Sequence, residues 1–325
     1  MRKLVLAALL LAFVVVILGA YTRLTDAGLG CPDWPGCYGF LHVPMHDEHV
    51  ELAEAAFPER PVEAHKAWNE MIHRYFAGAL GLVILAIFLI SLIKRAHHRP
   101  LKLPFLLVGL VTFQAMLGMW TVTMNLMPLV VMGHLLGGFT VLSCLFLLLL
   151  RLTPYRIPGG DPGLRRLAGF ALLGLLIVIG QIALGGWVSA NYAALACTEL
   201  PVCETNWLQR LDLPGAYSVV AADNYEFGTH DYDERMTMHI MHRFGALLTF
   251  VYLCWFASRL YKAASSSLFR KLAVVLVLVL GLQVALGVGN VVFSLPIAIA
   301  VAHNAVGACL LLTLVMINYT LLRKT

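Results

Sequence analysis

Residues 69–93 read "NEMIHRYFAGALGLVILAIFLISLI". The stretch opens with Glu70, His73 and Arg74 and then runs apolar to its end. About 20 apolar residues suffice for a helix to cross a bilayer, and a helix satisfies its own backbone groups in lipid. The run therefore predicts a membrane helix with three ionisable groups at its head. Seven more runs of spanning length follow the same rule, near 4–22, 103–123, 129–151, 166–190, 237–261, 270–292 and 297–322. Composition agrees: of 325 residues 60% are hydrophobic and 13% charged, and the mean hydropathy is +0.82. A soluble domain carries about 25% charged residues. The expected fold is an all-α integral membrane protein in a lipid bilayer.

Charge sets an orientation. With the N-terminus on the cytoplasmic side, the cytoplasmic segments run from Arg2 and Lys3 to Arg323 and Lys324 and hold most of the 23 Lys and Arg. Of the 18 acidic residues only Asp161 lies on that side. The positive-inside rule then predicts both termini in the cytoplasm. The net charge of +5 is accounted for by topology, so no nucleic-acid partner is expected. The first run ends in a small-residue "LGA" (18–20) that would also suit a cleaved signal, but the repeat in this chain requires it as a helix.

The chain is written twice. "EMIHRYFAG" (70–78) is matched by "HIMHRFGAL" (239–247), so His73 pairs with His242 at an offset of 169. Gln114 precedes His134 by 20 residues, and Gln283 precedes His303 by 20. Cys31 and Cys37 are matched by Cys197 and Cys203, with Gly19 and Gly185 each 12 residues ahead. Four matched features in one order predict two pseudo-symmetric four-helix bundles. The boundaries are 1–152, a cytoplasmic linker at 153–165, and 166–325. An even helix number per half gives both the same orientation, with an axis along the membrane normal.

His73, His134, His242 and His303 stand within about two turns of the outer helix ends, roughly 10 Å deep at 1.5 Å per residue. Ionisable groups at such depth are costly and point to function. One pair per bundle, from its second and fourth helices, matches the way bundles hold cofactors between facing helices. Two opposed imidazoles on one iron make a bis-histidine haem site, and the glycines of "GHLLGG" around His134 allow close approach of a flat macrocycle. No third or fourth ligand repeats in both halves, which disfavours a bare metal ion. The bland alternative for each histidine is an interfacial polar anchor.

The repeat breaks at one informative place. Glu70 stands three residues before His73, whereas His239 stands before His242. Positions i and i+3 share a helix face, so the first bundle carries a carboxylate beside its histidine. That predicts a working site in the first half and an electron-transfer or structural site in the second; a solvated interfacial glutamate is the alternative. Arg74 and Arg243 follow the two histidines and suit haem propionates, or interfacial snorkelling. His42, His46, His49, His65 and His230 fall in outer loops and are read as solvated. His97 and His98 join a cytoplasmic basic cluster. Cys144, Cys254 and Cys309 lie in apolar helices as small buried hydrophobes.

Together with "RLTDAGLGCPDWP" after the first helix, "EMIHR" with "GHLLGG" and "HIMHR" with "AHNAVG" resemble the haem A synthase family over nearly the whole chain. The resemblance implies an oxidoreductase in a bacterial-type cytoplasmic (inner) membrane. It would oxidise a methyl group of haem O, through hydroxylated intermediates, to the formyl group of haem A for terminal oxidases. It implies His73 and His134 around the substrate haem, Glu70 as catalytic carboxylate, and His242 and His303 as ligands of a resident haem b near the extracytoplasmic face. Haem O synthase and an electron acceptor are the implied partners, and a homo-oligomer is compatible. Two other classes remain. A di-haem b-type cytochrome for quinol oxidation would use the same four histidines without Glu70. A transporter would place its polar groups at the midplane.

"CPDWPGC" (31–37) and "CTELPVC" (197–203) fall on the oxidising face. Their spacing fits neither zinc nor a c-type haem. Disulfides Cys31–Cys37 and Cys197–Cys203 are expected, each contributing about 2 kcal/mol through a short loop. Whether they only staple or also exchange electrons or thiols stays open at this level.

Overall fold

A computed structural model describes residues 1–93, 101–153, 161–204 and 206–322. Lys94, Arg95, Arg99, Arg156, Arg323 and Lys324, which enter the expected topology, lie outside the described residues, as do His97, His98 and residues 154–160 of the linker. The described residues are helical, with no strand among them.

Among the described residues eight helices are long and apolar enough to cross a membrane, which makes this a multi-pass membrane protein. In chain order they are α1 (Arg2–Leu24), α3 (Ala64–Ile93), α4 (Lys102–Thr123), α5 (Pro128–Leu152), α6 (Ala168–Ala190), α8 (Tyr232–Ala263), α9 (Ser267–Val292) and α10 (Ile297–Leu322). The two long connecting loops add α2 (Asp47–Ala56) and the short α7 (Leu213–Ala216). A 3-10 turn at Pro162–Leu167 leads into α6, and the Asp161 carboxylate accepts from the Ser265 and Ser266 amides at 2.9 and 3.0 Å.

Two helices start earlier than the apolar pattern predicts. α3 begins at Ala64 and α8 at Tyr232, five residues ahead of 69 and 237. Polar first turns hide such starts from a hydropathy reading. At α8 the reason is visible: the Asp231 side chain accepts from the Glu234 amide at 3.0 Å, and Glu234 returns an acceptor to the Asp231 amide at 3.1 Å. This reciprocal cap satisfies two orphan donors. The consequence corrects the expected distance from the helix ends. His73 stands nine residues inside α3 and His242 ten inside α8, about 14–15 Å along the axis. His134 and His303 stand six residues from the starts of α5 and α10, within two turns as expected.

The chain divides into two compact units, Met1–Leu145 with Val219–Thr229, and Phe146–Ser218 with His230–Thr325. In the first, α3 packs on α1 and α4. The segment 219–229, drawn from the second long loop, packs into this unit. Tyr225 packs on Leu29 and Leu126, and its amide donates to the Asn125 carbonyl at 3.0 Å. Asn125, held at φ +47°, donates through Nδ2 to the Asp223 carbonyl at 2.9 Å and accepts from Arg60 at 2.8 Å. Asparagine tolerates this left-handed turn, which explains its presence there. In the second unit α8 packs on α6 and α9, and α10 on α6 and α9; buried Asn318 donates to the Ala171 carbonyl at 3.0 Å.

Candidate functional site

The histidines meet in pairs. His73 and His134 face each other inside the first unit, ring centres 6.4 Å apart and planes near perpendicular at 88°. Two imidazoles bound to one metal from opposite sides, at about 2.0 Å per bond, place their ring centres roughly 6 Å apart. The spacing therefore fits one shared iron. In the second unit His242 and His303 lie close enough to interact electrostatically.

Each histidine rests against a glycine on the neighbouring helix. A Cβ added at Gly19 would meet His73 Cε1 at 3.0 Å, and one at Gly185 would meet His242 Cε1 at 2.9 Å. At Gly118 and Gly287 it would meet His134 and His303 Cε1 at 3.3 and 3.1 Å. Every ring is thus packed tightly against a glycine, where a larger side chain would press on it. Gly118 and Gly287 escaped the sequence reading, although each precedes its histidine by 16 residues.

The hydrogen bonding of the rings differs between halves. His303 Nδ1 donates to the Gln283 carbonyl at 3.2 Å, while its Nε2 accepts from the Gln283 amide at 3.2 Å. Gln181 Nε2 lies 3.0 Å from His242 Nδ1 and donates to the His242 carbonyl at 3.0 Å. In the first half His73 Nδ1 and His134 Nδ1 are buried beside the Val15 and Gln114 carbonyls without a well-formed hydrogen bond. Bare buried nitrogens are costly unless something outside the chain fills the site. The spacing and these orphaned atoms fit a haem in the first half, and the His242–His303 pair offers the same donor set in the second.

Glu70 is 5% exposed. It leaves the helix face not toward water but under the first cysteine loop. Its Oε2 accepts the Cys31 amide at 2.9 Å, and its Oε1 takes Arg74 Nη2 at 2.5 Å. Removing one partner from such a buried pair typically costs about 3–5 kcal/mol. Arg74 Nη1 donates to the carbonyls of Asp33 at 2.9 Å and Pro35 at 3.3 Å, and also to that of Gly36. Arg243 does the same in the second half. Its Nη1 donates to the Glu199 and Pro201 carbonyls at 2.6 and 3.4 Å, and its Nη2 to the Cys197 carbonyl at 2.7 Å. Both guanidiniums hold carbonyls of the cysteine loops. His239, which replaces Glu70 in the repeat, is buried and lies 3.2 Å from the Ala193 carbonyl.

Both loops are closed by disulfides, Cys31–Cys37 and Cys197–Cys203. Cys197, Cys203 and Glu204 approach a metal-ligand spacing, but the two sulfurs are bonded to each other and offer no thiolate. Cys31 and Cys37 are fully buried with Tyr38, Ala67 and Met71. Burial pushes the Tyr38 hydroxyl from 10.0 up to about 12, and it donates to the Pro61 carbonyl at 3.0 Å. The folded state thus favours the neutral phenol. Its contribution to stability is full below pH 10 and is lost as pH rises through about 12. Thermal unfolding followed across that window should show a falling midpoint that Tyr38→Phe flattens.

The outer-loop histidines divide. His42 and His46 are exposed, as is His65, which stands not in a loop but in the polar first turn of α3. His49 is half-buried, stacked on Phe40 at 4.8 Å. The expectation that His230 is solvated is overturned: it is 4% exposed and pairs with Glu234 at 2.9 Å. That glutamate already caps α8, so His230 is folded into the helix start. Cys144, Cys254 and Cys309 are half-buried within their helices.

Fold and site together define an all-α integral membrane protein whose helical bundles enclose paired histidines. The COX15-CtaA family, described as cytochrome oxidase assembly protein, matches residues 2–315, and the chain belongs to this family. It is 52% identical over 319 residues to "Heme A synthase" of Shewanella oneidensis, covering 98% of this chain and 95% of that protein. Similar proteins named "Heme A synthase" include those of Mesorhizobium japonicum, at 26% identity over 91% of this chain and 83% of the relative. That of Nitrosospira multiformis is 28% identical over 97% and 91%.

Proposed function

We propose that this chain is a haem A synthase that oxidises one methyl group of haem O to a formyl group. The observation that carries the reading is the buried Glu70 carboxylate one helical turn before His73, whose ring faces His134. The 52% identity to a protein bearing that name supports it. In this reading residues 1–152 form the catalytic half and residues 166–325 hold haem b, with 153–165 as a cytoplasmic linker. Both termini face the cytoplasm of a bacterial-type inner membrane, and the haem sites lie toward the outer face. Haem O synthase supplies the substrate, and an electron acceptor or redox partner removes the electrons.

His73 and His134 hold and orient the substrate haem from its two faces, and the glycine seats fix both rings. The methyl group is hydroxylated twice, the oxygen coming from water, and the resulting geminal diol loses water to leave the formyl group. Each hydroxylation releases two electrons and two protons. Glu70 is the group placed to take protons as they are released. In the second half His242 and His303 would hold haem b, which supplies one-electron transfer when bound. The organic chemistry belongs to the macrocycle, while the chain contributes orientation and a proton acceptor.

The glycine seats give a direct prediction. Gly19→Val should push His73 off its position and lower haem O affinity at least tenfold, leaving haem b in place. Gly185→Val should do the reverse, emptying the second half. Soret titration of each purified variant checks both. Identification of the extracted pigment after coexpression with a haem O source tests the function itself.

A further inference from the structure

We infer that Arg74 is a positioning residue for the reaction, acting through Glu70 and anchored by the first cysteine loop. The inference rests on the proposed role of Glu70 and extends it to a residue expected at a propionate. Arg74 and Arg243 clasp their loops at matched places, the carbonyls of Asp33 and Pro35 in one half and of Glu199 and Pro201 in the other. These positions differ by the 166-residue offset of the cysteines. The shared part of the clasp fastens a disulfide loop to a helix.

The remaining nitrogen is used differently. Arg243 Nη2 takes a third loop carbonyl, that of Cys197, at 2.7 Å. Arg74 Nη2 is diverted to Glu70 at 2.5 Å. The other carboxylate oxygen is fixed by the Cys31 amide of the same loop at 2.9 Å. Loop, guanidinium and carboxylate thus form one closed circuit, Cys31 to Glu70 to Arg74 and back to Asp33. A carboxylate on a single χ-flexible chain has several rotamers; two opposed charge-assisted contacts leave it one. Arginine's planar fork can bind the loop and the carboxylate together, and a lysine ammonium cannot reproduce that geometry.

Six variants of the membrane protein test this: Arg74→Met, Arg74→Lys, Arg243→Met, Glu70→Asp, Glu70→Gln and the double variant Glu70→Asp with Arg74→Met. Loop fastening is read without turnover, from the rate at which dithiothreitol opens each disulfide, followed by differential alkylation. Arg74→Met should speed opening of Cys31–Cys37 about tenfold and leave Cys197–Cys203 unchanged; Arg243→Met should do the opposite. Positioning is read from haem O turnover. Arg74→Met should lower kcat about 100-fold with KM for haem O within twofold, and Arg74→Lys should recover about a tenth of the lost rate. At equal haem content Arg243→Met should lower kcat at least tenfold less than Arg74→Met does. On a Glu70→Asp background, adding Arg74→Met should cost less than threefold further, because contacting residues that act through one another are not additive. Equal losses for Arg74→Met and Arg243→Met, or full additivity with Glu70→Asp, would overturn the inference. Unchanged turnover in Glu70→Asp and Glu70→Gln would instead remove the reading of Glu70 itself, while the opening rates would still report whether the arginines hold the loops.

Discussion

Glu70→Gln is expected to stop conversion of haem O to haem A while leaving both haem sites filled. The amide keeps the size of the carboxylate, can still accept from the Cys31 amide, and leaves His73 and His134 in place. It cannot take a proton. General acid–base catalysis contributes about 10²–10⁴-fold, so turnover should fall by roughly 10³, equivalent to about 4 kcal/mol of barrier. Soret titration should find haem O affinity within a few-fold of the parent. Equal haem content with normal haem A output would take Glu70 out of the mechanism.

The second large effect is expected at the other pair. His242→Leu or His303→Leu should empty the second half of haem while the His73–His134 site still binds haem O. If that half passes electrons onward, turnover should drop by at least about 100-fold even though Glu70 is untouched. The loss of a single axial ligand is not offset by Gln181 or Gln283, whose amides contact the rings but offer no comparable ligand. Pigment stoichiometry and turnover on the same preparation check both parts. Normal turnover in a protein lacking the second haem would assign that half a purely structural role.

Much of this architecture was legible in the amino-acid order, because membrane helices announce themselves by length and apolarity. The histidines and their glutamines were equally legible, since their 20-residue spacing is kept in both halves. What escaped depends on backbone geometry or on long-range docking. Arg74 reaches carbonyls of Asp33, Pro35 and Gly36, groups that every residue owns and no pattern reveals. The starts of α3 and α8 were misplaced because their first turns are polar and stabilised by caps. The return of 219–229 to the first unit depends on Asn125 and Tyr225, which lie 100 residues apart in sequence. His230 looked like a loop histidine until the Glu234 cap placed it under the start of α8.

The disulfide loops look different in this light. Each is a rigid turn gripped by an arginine from the helix that carries a histidine. In the first half the same turn supplies a backbone donor to Glu70. A structural task for Cys31–Cys37 follows directly: it frames the carboxylate. Cys31→Ala with Cys37→Ala should lower turnover by loosening that frame, and Glu70 should then become sensitive to solvent exchange.

The central claim, oxidation of a haem O methyl group, is tested most directly by identifying the pigment. The chain is expressed in a host lacking its own haem A synthase, with and without a haem O source, and the haems are extracted and weighed by mass spectrometry. Haem A, with its hydroxylated intermediate, should appear only when haem O is supplied and should vanish in Glu70→Gln. Extraction of haem b alone under both conditions would contradict the account and leave a di-haem cytochrome in its place.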